Sequence, residues 1–137
     1  MFYCELLSGI WISDTEIMNN CNFIKDKNIT IVLNCTQIYD FPDLDIQKIR
    51  LPFSPHQNND ENLRLLKNNY VQIVDYIHEN IDTNNILISC YDGKSISPFI
   101  IALYIMKYST IDKKSIYQIL LSKNSELSLW CDIDLFT

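Results

Sequence analysis

The run Ile86-Leu87-Ile88-Ser89-Cys90-Tyr91-Asp92-Gly93-Lys94-Ser95-Ile96-Ser97 decides how this chain is read. It opens on consecutive branched aliphatic residues, passes through a turn with a single glycine, and leads into a strongly apolar stretch from Ser97 to Tyr108. Such a pattern predicts a strand buried on both faces, a tight loop, and a buried helix whose first turn tolerates Pro98. Cys90 then stands at the carboxyl end of the strand, facing backbone N–H groups where the helix begins. That placement predicts an anion nest and a thiol of lowered pKa, because unpaired amides and the helix dipole favour negative charge.

Outward from this loop, strands and helices alternate. Ile29 to Cys35 is short, β-branched and nearly all apolar, and so predicts a second strand buried on both faces. Ile46 to Phe53 supplies a further strand closed by Pro52 and Pro55, and the polar stretch His56 to Asn62 reads as a loop. From Glu61 to Asn80, Leu63, Leu66, Tyr70, Ile73, Val74 and Ile77 recur at helical spacing. Leu6 to Ser13 turns around Gly9 and reads as a hairpin or edge strand. Ser13 and Asp14 offer N-caps for one short helix over Asp14 to Lys25, and Lys113 to Lys123 makes a last amphipathic helix. The expected architecture is an α/β fold, a central mostly parallel sheet flanked by helices, in one domain spanning residues 1–137. Ligands in such sheets bind beyond the carboxyl ends of strands, which points to Ser89–Ser97.

Composition narrows the function classes. The 137 residues, 47% hydrophobic, suit one globular domain. Seventeen acidic residues against eleven basic ones give a charge of -6, a field that repels polyphosphates and argues against nucleic-acid binding. The longest nearly apolar run, Pro98 to Met106, is well short of the roughly 18 to 20 residues of a membrane span. Met1 to Leu7 holds no Lys or Arg and reaches Glu5 early, against a secretory leader, so a soluble cytoplasmic protein is expected. Cys4, Cys21, Cys35, Cys90 and Cys131 are odd in number, lack a C-x-x-C pair and have only His56 and His78 as histidine company. They read as reduced thiols, with no disulfide frame, no metal site and no cofactor. Heavy Ile and Asn usage, with Ala102 the single alanine and Arg50 and Arg64 the only arginines, suggests an AT-rich coding genome.

Taken in order, four stretches resemble the dual-specificity branch of the cysteine-dependent protein tyrosine phosphatases, particularly its compact viral, poxvirus-like members. That family's signature is His-Cys, five residues, then Arg and Ser or Thr, with a glycine three positions after the cysteine. Cys90, Gly93, Ser95 and Ser97 stand where the pattern puts its cysteine, glycine and hydroxyls, and Ile100 to Met106 is similar to the helix that follows. Leu7 to Ser13 is similar to the family's opening strand, and Asn28 to Thr36 to its Gly-Ile-Thr-His-Val-Leu-Asn segment. The resemblance implies a tyrosine phosphatase-like fold, a phosphate loop of Ser89, Tyr91, Asp92, Gly93, Lys94, Ser95 and Ser97 around Cys90, and, for a viral member, the host-cell cytoplasm or the virion.

The same resemblance marks departures. The family's mechanism uses a low-pKa cysteine as nucleophile, a loop arginine that holds phosphoryl oxygens bidentately, and an aspartate that protonates the leaving oxygen. Ile96 stands at the arginine position and Pro55 at the aspartate's, while Ser89 replaces the usual histidine and Trp130 lies in a segment where the family usually carries a bracing asparagine. Asp92 adds a carboxylate to a loop meant for a dianion. Lys94 is a substitute cation without the arginine fork, and Asp60 and His56 are substitute acids better read as a solvated turn. Arg50 and Arg64 read as surface residues. The expectation is therefore a pseudophosphatase that acts through an unidentified protein partner, with homodimerisation left open. The alternatives are a weak or atypical phosphatase using Cys90, or a phosphoprotein-binding module.

Overall fold

The computed structural model describes residues 1–56 and 60–137. In chain order the elements are β1 (Tyr3–Leu7), β2 (Ile10–Ser13), α1 (Thr15–Met18), α2 (Cys21–Asp26), β3 (Ile29–Asn34), β4 (Gln47–Arg50), α3 (Asp60–Asn80), β5 (Asn85–Ser89), α4 (Ile96–Tyr108), α5 (Lys113–Lys123) and a closing 3₁₀ turn (Ile133–Phe136). The strands form one sheet in the order β1-β2-β5-β3-β4. β1 and β2 are an antiparallel hairpin, and every other pairing is parallel. This is the expected mixed α/β sheet.

Strand alternation explains why β3 and β5 read as nearly continuous apolar runs. Ile31, Leu33, Ile86 and Ile88 face a core completed by Leu66, Val74 and Ile77 of α3 and by most of α4. Val32 and Leu87 point the other way, onto Ile17, Met18, Phe23 and Ile24 of α1 and α2. Both faces are covered, so both sets of positions must be apolar. α4 is buried on nearly every side, from Ile96 to Leu103, because the sheet, α3 and α5 enclose it.

Several boundaries differ from the expectation, each for a local reason. The single helix expected over Asp14 to Lys25 is two helices, because Asn20 turns its side chain to accept the Phe23 N–H at 3.1 Å and so caps a new start. Asp14 caps α1 in the same way through the Ile17 N–H at 3.0 Å. β1 begins at Tyr3, ahead of the expected Leu6, and β2 is an interior strand, paired on its other side with β5. β4 stops at Arg50, short of Phe53, before Pro52, which has no N–H to offer a ladder. α3 begins at Asp60 inside the stretch expected as a loop, and residues 57–59 of that stretch lie outside the described residues. The closing turn was not expected. It seats Phe136 edge-on to Tyr70 and against Phe99.

Two glycines adopt positive φ, and they are not equivalent. A Cβ on Gly9 (φ +79°) would meet Asn85 Oδ1 at 3.2 Å and Ile81 Cδ1 at 3.3 Å, both ends of movable side chains. A Cβ on Gly93 (φ +75°) would lie 2.6 Å from the Ser13 carbonyl carbon and 2.8 Å from both the Asp14 nitrogen and Phe2 Cδ2. Gly93→Ala should therefore cost more than the roughly 1–2 kcal/mol of the left-handed conformation alone, and more than Gly9→Ala. Urea unfolding of the two variants beside the parent measures the difference, and equal losses would contradict the packing described.

Candidate functional site

β5 lies between β2 and β3, and its carboxyl end delivers Cys90 to the centre of the sheet's upper rim. Cys90 N–H donates to the Ser13 carbonyl at 3.2 Å, and the Ser89 carbonyl accepts the Cys35 N–H at 2.8 Å, so the ladder continues one residue beyond the strand on both sides. Ser89 Oγ donates to the Asp14 carbonyl at 2.9 Å. The chain then turns at Gly93 against Ser13 and Asp14 and enters α4 at Ile96. Ser97 N–H donates to Cys90 Sγ at 3.4 Å, while the Lys94 carbonyl accepts the Ser128 N–H at 2.9 Å from the far side of the loop.

The loop side chains separate into two groups. Ile96, Ser97, Ser95 and Cys90 are buried, and Ile96 is fully enclosed in the main core. Asp92 is exposed and Tyr91 and Lys94 are partly so. Asp92 Oδ1 accepts the Lys94 N–H at 2.9 Å and stands 3.8 Å from Cys90 Sγ, as acceptor for the thiol. The Lys94 ammonium lies 3.7 Å from Glu126 and over the Phe2 ring, so its charge is engaged outside the loop.

Burial holds the Cys90 thiol above its ordinary value, which corrects the lowered pKa expected from the loop's position. Burial is the largest influence on Cys90 and pushes it up; hydrogen bonding from the Ser97 side chain and backbone opposes this, the Asp92 carboxylate adds to it, and the Gly93 N–H opposes it again. Desolvation outweighs the helix N-terminus because the sulfur is sealed from water. Ser97 Oγ lies beside this sulfur and is itself buried without a hydrogen-bond partner of ordinary geometry. Cys35, on the neighbouring strand, is pushed well up by burial first and by Cys90 second.

Around the loop, three contacts fix the neighbouring segments. Tyr91 Oη donates to the Phe53 carbonyl at 2.6 Å and accepts the Gln37 N–H at 3.2 Å. Asn62, in the first turn of α3, accepts the Ser54 N–H at 2.8 Å and donates to the carbonyls of Ser54 and His56, both at 3.1 Å. Trp130 packs edge-on against Phe53 and Phe99. Pro55 is exposed on the segment thus pinned. Asn62 and the Tyr91 tether were not foreseen: Asn62 sits in a polar run that offers no periodicity, and a tyrosine after a cysteine gives no hint of what its hydroxyl reaches.

The remaining candidates lie elsewhere. Arg50 spends its guanidinium on the Thr36 carbonyl at 2.8 Å and the Tyr39 carbonyl at 2.9 Å, and Arg64 is exposed on α3. Asp60 opens α3, and neither its carboxylate nor the His56 ring makes a hydrogen bond among the described residues. Among the described residues no three His, Cys, Asp or Glu side chains gather as a metal site, and no helix is long and apolar enough to cross a membrane. An apolar cavity of about 230 Å³ opens between β4 and α3, away from Cys90.

The family model described as the dual specificity phosphatase catalytic domain matches residues 10–130. Among solved structures, a mouse putative dual specificity phosphatase complexed with zinc tungstate is similar at 15% identity with a TM-score of 0.78, covering 93% of this chain and 78% of that one. A human tyrosine phosphatase-like serine/threonine/tyrosine-interacting protein follows at 12% identity and TM-score 0.77, covering 93% and 87%. The Cydia pomonella PTP-2 phosphatase is similar at 18% identity and TM-score 0.73, covering 93% and 82%. At such identities the likeness is one of fold. No curated protein sequence matches the chain.

Because the folded state holds Cys90, Cys35 and Cys131 protonated (Cys131 pushed up to about 11), folding is favoured fully below the ordinary thiol value of 9.0, and that stability is lost as pH rises past it. Urea midpoints should fall between pH 9 and 11, and less so in Cys90→Ser. Iodoacetamide should modify Cys90 at least about tenfold more slowly than a free thiol at neutral pH. Asp92→Asn should speed that reaction and Ser97→Ala slow it, as peptide mass spectrometry would show; the opposite order would contradict the electrostatics.

Proposed function

Because the chain belongs to the dual specificity phosphatase family, we propose that it is a catalytically inactive member, a pseudophosphatase that acts by binding another protein. The observation that carries this reading is the position of Asp92. Its Oδ1 accepts the Lys94 N–H and stands 3.8 Å from the Cys90 sulfur, so a carboxylate already takes a loop donor beside the thiol. A phosphoryl dianion entering the loop meets a carboxylate, and at about 4 Å and an effective dielectric near 20 each unit-charge pair costs on the order of 4 kcal/mol.

The chemistry of the other positions points the same way. A thiol held protonated by burial is a weak nucleophile. Ile96 offers no donor to a phosphoryl oxygen, and Pro55 carries no proton for a leaving group. Loss of a general acid removes roughly 10² to 10⁴ in rate and loss of one preorganised donor roughly 10² to 10³, without simple additivity. The Tyr91 and Asn62 tethers hold the Pro55 segment in place, which suits a rigid binding scaffold better than a loop that must close on substrate. One structural neighbour is itself named as tyrosine phosphatase-like and interacting. A compact viral-type member working in the host-cell cytoplasm or carried in the virion fits the resemblance in sequence.

A second reading has one observation in its favour: Ser97 Oγ is buried beside the sulfur without a partner of ordinary geometry, which leaves a donor for a thiolate. That reading is a weak Cys90-dependent phosphatase. Hydrolysis of an aryl phosphate with a poor leaving group separates the two, and the expected rate is indistinguishable from that of Cys90→Ser. Tungstate titration followed by calorimetry should show no binding to the parent chain and measurable binding to Asp92→Ala. A Cys90-dependent rate would establish the second reading, and tight tungstate binding to the parent would revive phosphoprotein recognition.

A further inference from the structure

We propose that the free edge of β4, with the cavity beneath it, is a docking site for an extended acidic segment of another protein that adds a strand to the sheet and places one bulky apolar side chain in the cavity. This rests on the reading that the chain works by protein binding, and names the chemistry of the partner.

β4 is the last strand of the sheet, paired with β3 alone, and it is the most exposed of the parallel strands. Its outer edge therefore presents backbone N–H and C=O groups in the arrangement that an added strand pairs with. The two faces of this edge differ. Ile49 pairs in register with Leu33, on the side covered by α3, whereas Lys48 pairs with Val32, on the side of α2. Arg50 lies over the Phe41 ring, on that same second side.

On the α3 side lies the cavity of about 230 Å³, floored by aliphatic side chains that include Ile31, Leu33, Ile49 and Ile73, with Asn69 and Gln72 at its lip. Arg50 borders it along the strand, while its guanidinium lies over Phe41 on the opposite face. Dry apolar cavities of roughly 150 Å³ already take a benzene-sized body, so this one has room for a leucine or phenylalanine side chain. On the other side, Lys48 is exposed and makes no ion pair among the described residues, and Arg50 adds a second cation. Asp45 precedes the strand and is the nearest acidic residue along the chain. Two cations alternating with an apolar position in a chain of net charge -6 give this edge a sign of its own.

Because side chains of a strand alternate between faces, the segment that fits has a period of two: acidic, apolar, acidic. The apolar residue enters the cavity beside Ile49, and its acidic neighbours face Lys48 and Arg50. A second copy of this chain is disfavoured at the same edge, since it would bring cation onto cation.

The test uses the full chain, ¹⁵N-labelled, and three eight-residue peptides: one with leucine between acidic residues, the same peptide with serine for leucine, and one with lysine for every acidic residue. The leucine peptide should shift amide signals of Gln47–Arg50, Gln72 and Ile73, and bind at least tenfold more tightly than the other two. Lys48→Glu, whose side chain supports nothing else among the described residues, should weaken that binding about tenfold without changing the urea midpoint. Equal binding of all three peptides, shifts confined to another surface, or occupation of the cavity by benzene with no response to any peptide would overturn the proposal. If the peptides fail while aryl phosphate hydrolysis is still absent, the docking site falls and the pseudophosphatase reading stands; if the leucine peptide binds and Cys90-dependent hydrolysis appears, the docking site stands and the pseudophosphatase reading falls.

Discussion

The packing of Gly93 against the Ser13–Asp14 backbone is the contact on which the rest of the site depends. It brings the loop after β5 within van der Waals reach of the turn after β2, closer than any side chain would allow. Asp14 then serves several partners at once: its carboxylate caps α1 and accepts the Phe2 N–H, and its carbonyl accepts Ser89 Oγ. The loop's curvature is thus set by neighbouring backbone. Its contacts run to the Ser13–Asp14 backbone and to the Asp14 carbonyl.

Packing also explains what was legible in the sequence. β3 and β5 could be read because burial on both faces leaves only one kind of residue, and α3 because its apolar positions repeat over many turns. Cys90 at a strand end before a buried helix placed the loop correctly. The state of the thiol could not be read in the same way, because the helix N-terminus is visible in a sequence whereas the burial that overrides it is a property of the whole assembly. Nor could the role of Tyr91 be foreseen, since its hydroxyl joins residues 38 positions away. The break between α1 and α2 was within reach: Asn19-Asn20 competes for backbone hydrogen bonds wherever it occurs, and apolar spacing alone concealed it.

The loop has the physical character of core. Ile96 and Cys90 are enclosed, Ser89 and Ser97 are buried, and the exposed carboxylate of Asp92 bonds back to its own turn. An anion-binding loop with a thiolate and an arginine holds desolvated charge and gives up stability to do so. Here the buried groups are neutral. Mutational tolerance at this position should therefore follow packing, as is expected for the rest of α4.

The edge of β4 and the loop are nevertheless joined by a continuous set of contacts. Arg50 bonds to the Thr36 and Tyr39 carbonyls, Asn34 Nδ2 also bonds to the Tyr39 carbonyl, the Tyr39 ring meets Tyr91, and Tyr91 reaches Phe53. Spatial continuity of this sort does not by itself transmit a signal, because coupling requires an element with two arrangements that both sites bias. Each hydrogen bond in this chain ends on a backbone carbonyl whose position a strand or a tethered turn already determines. An added strand at β4 would thus reinforce the arrangement at the loop without switching it.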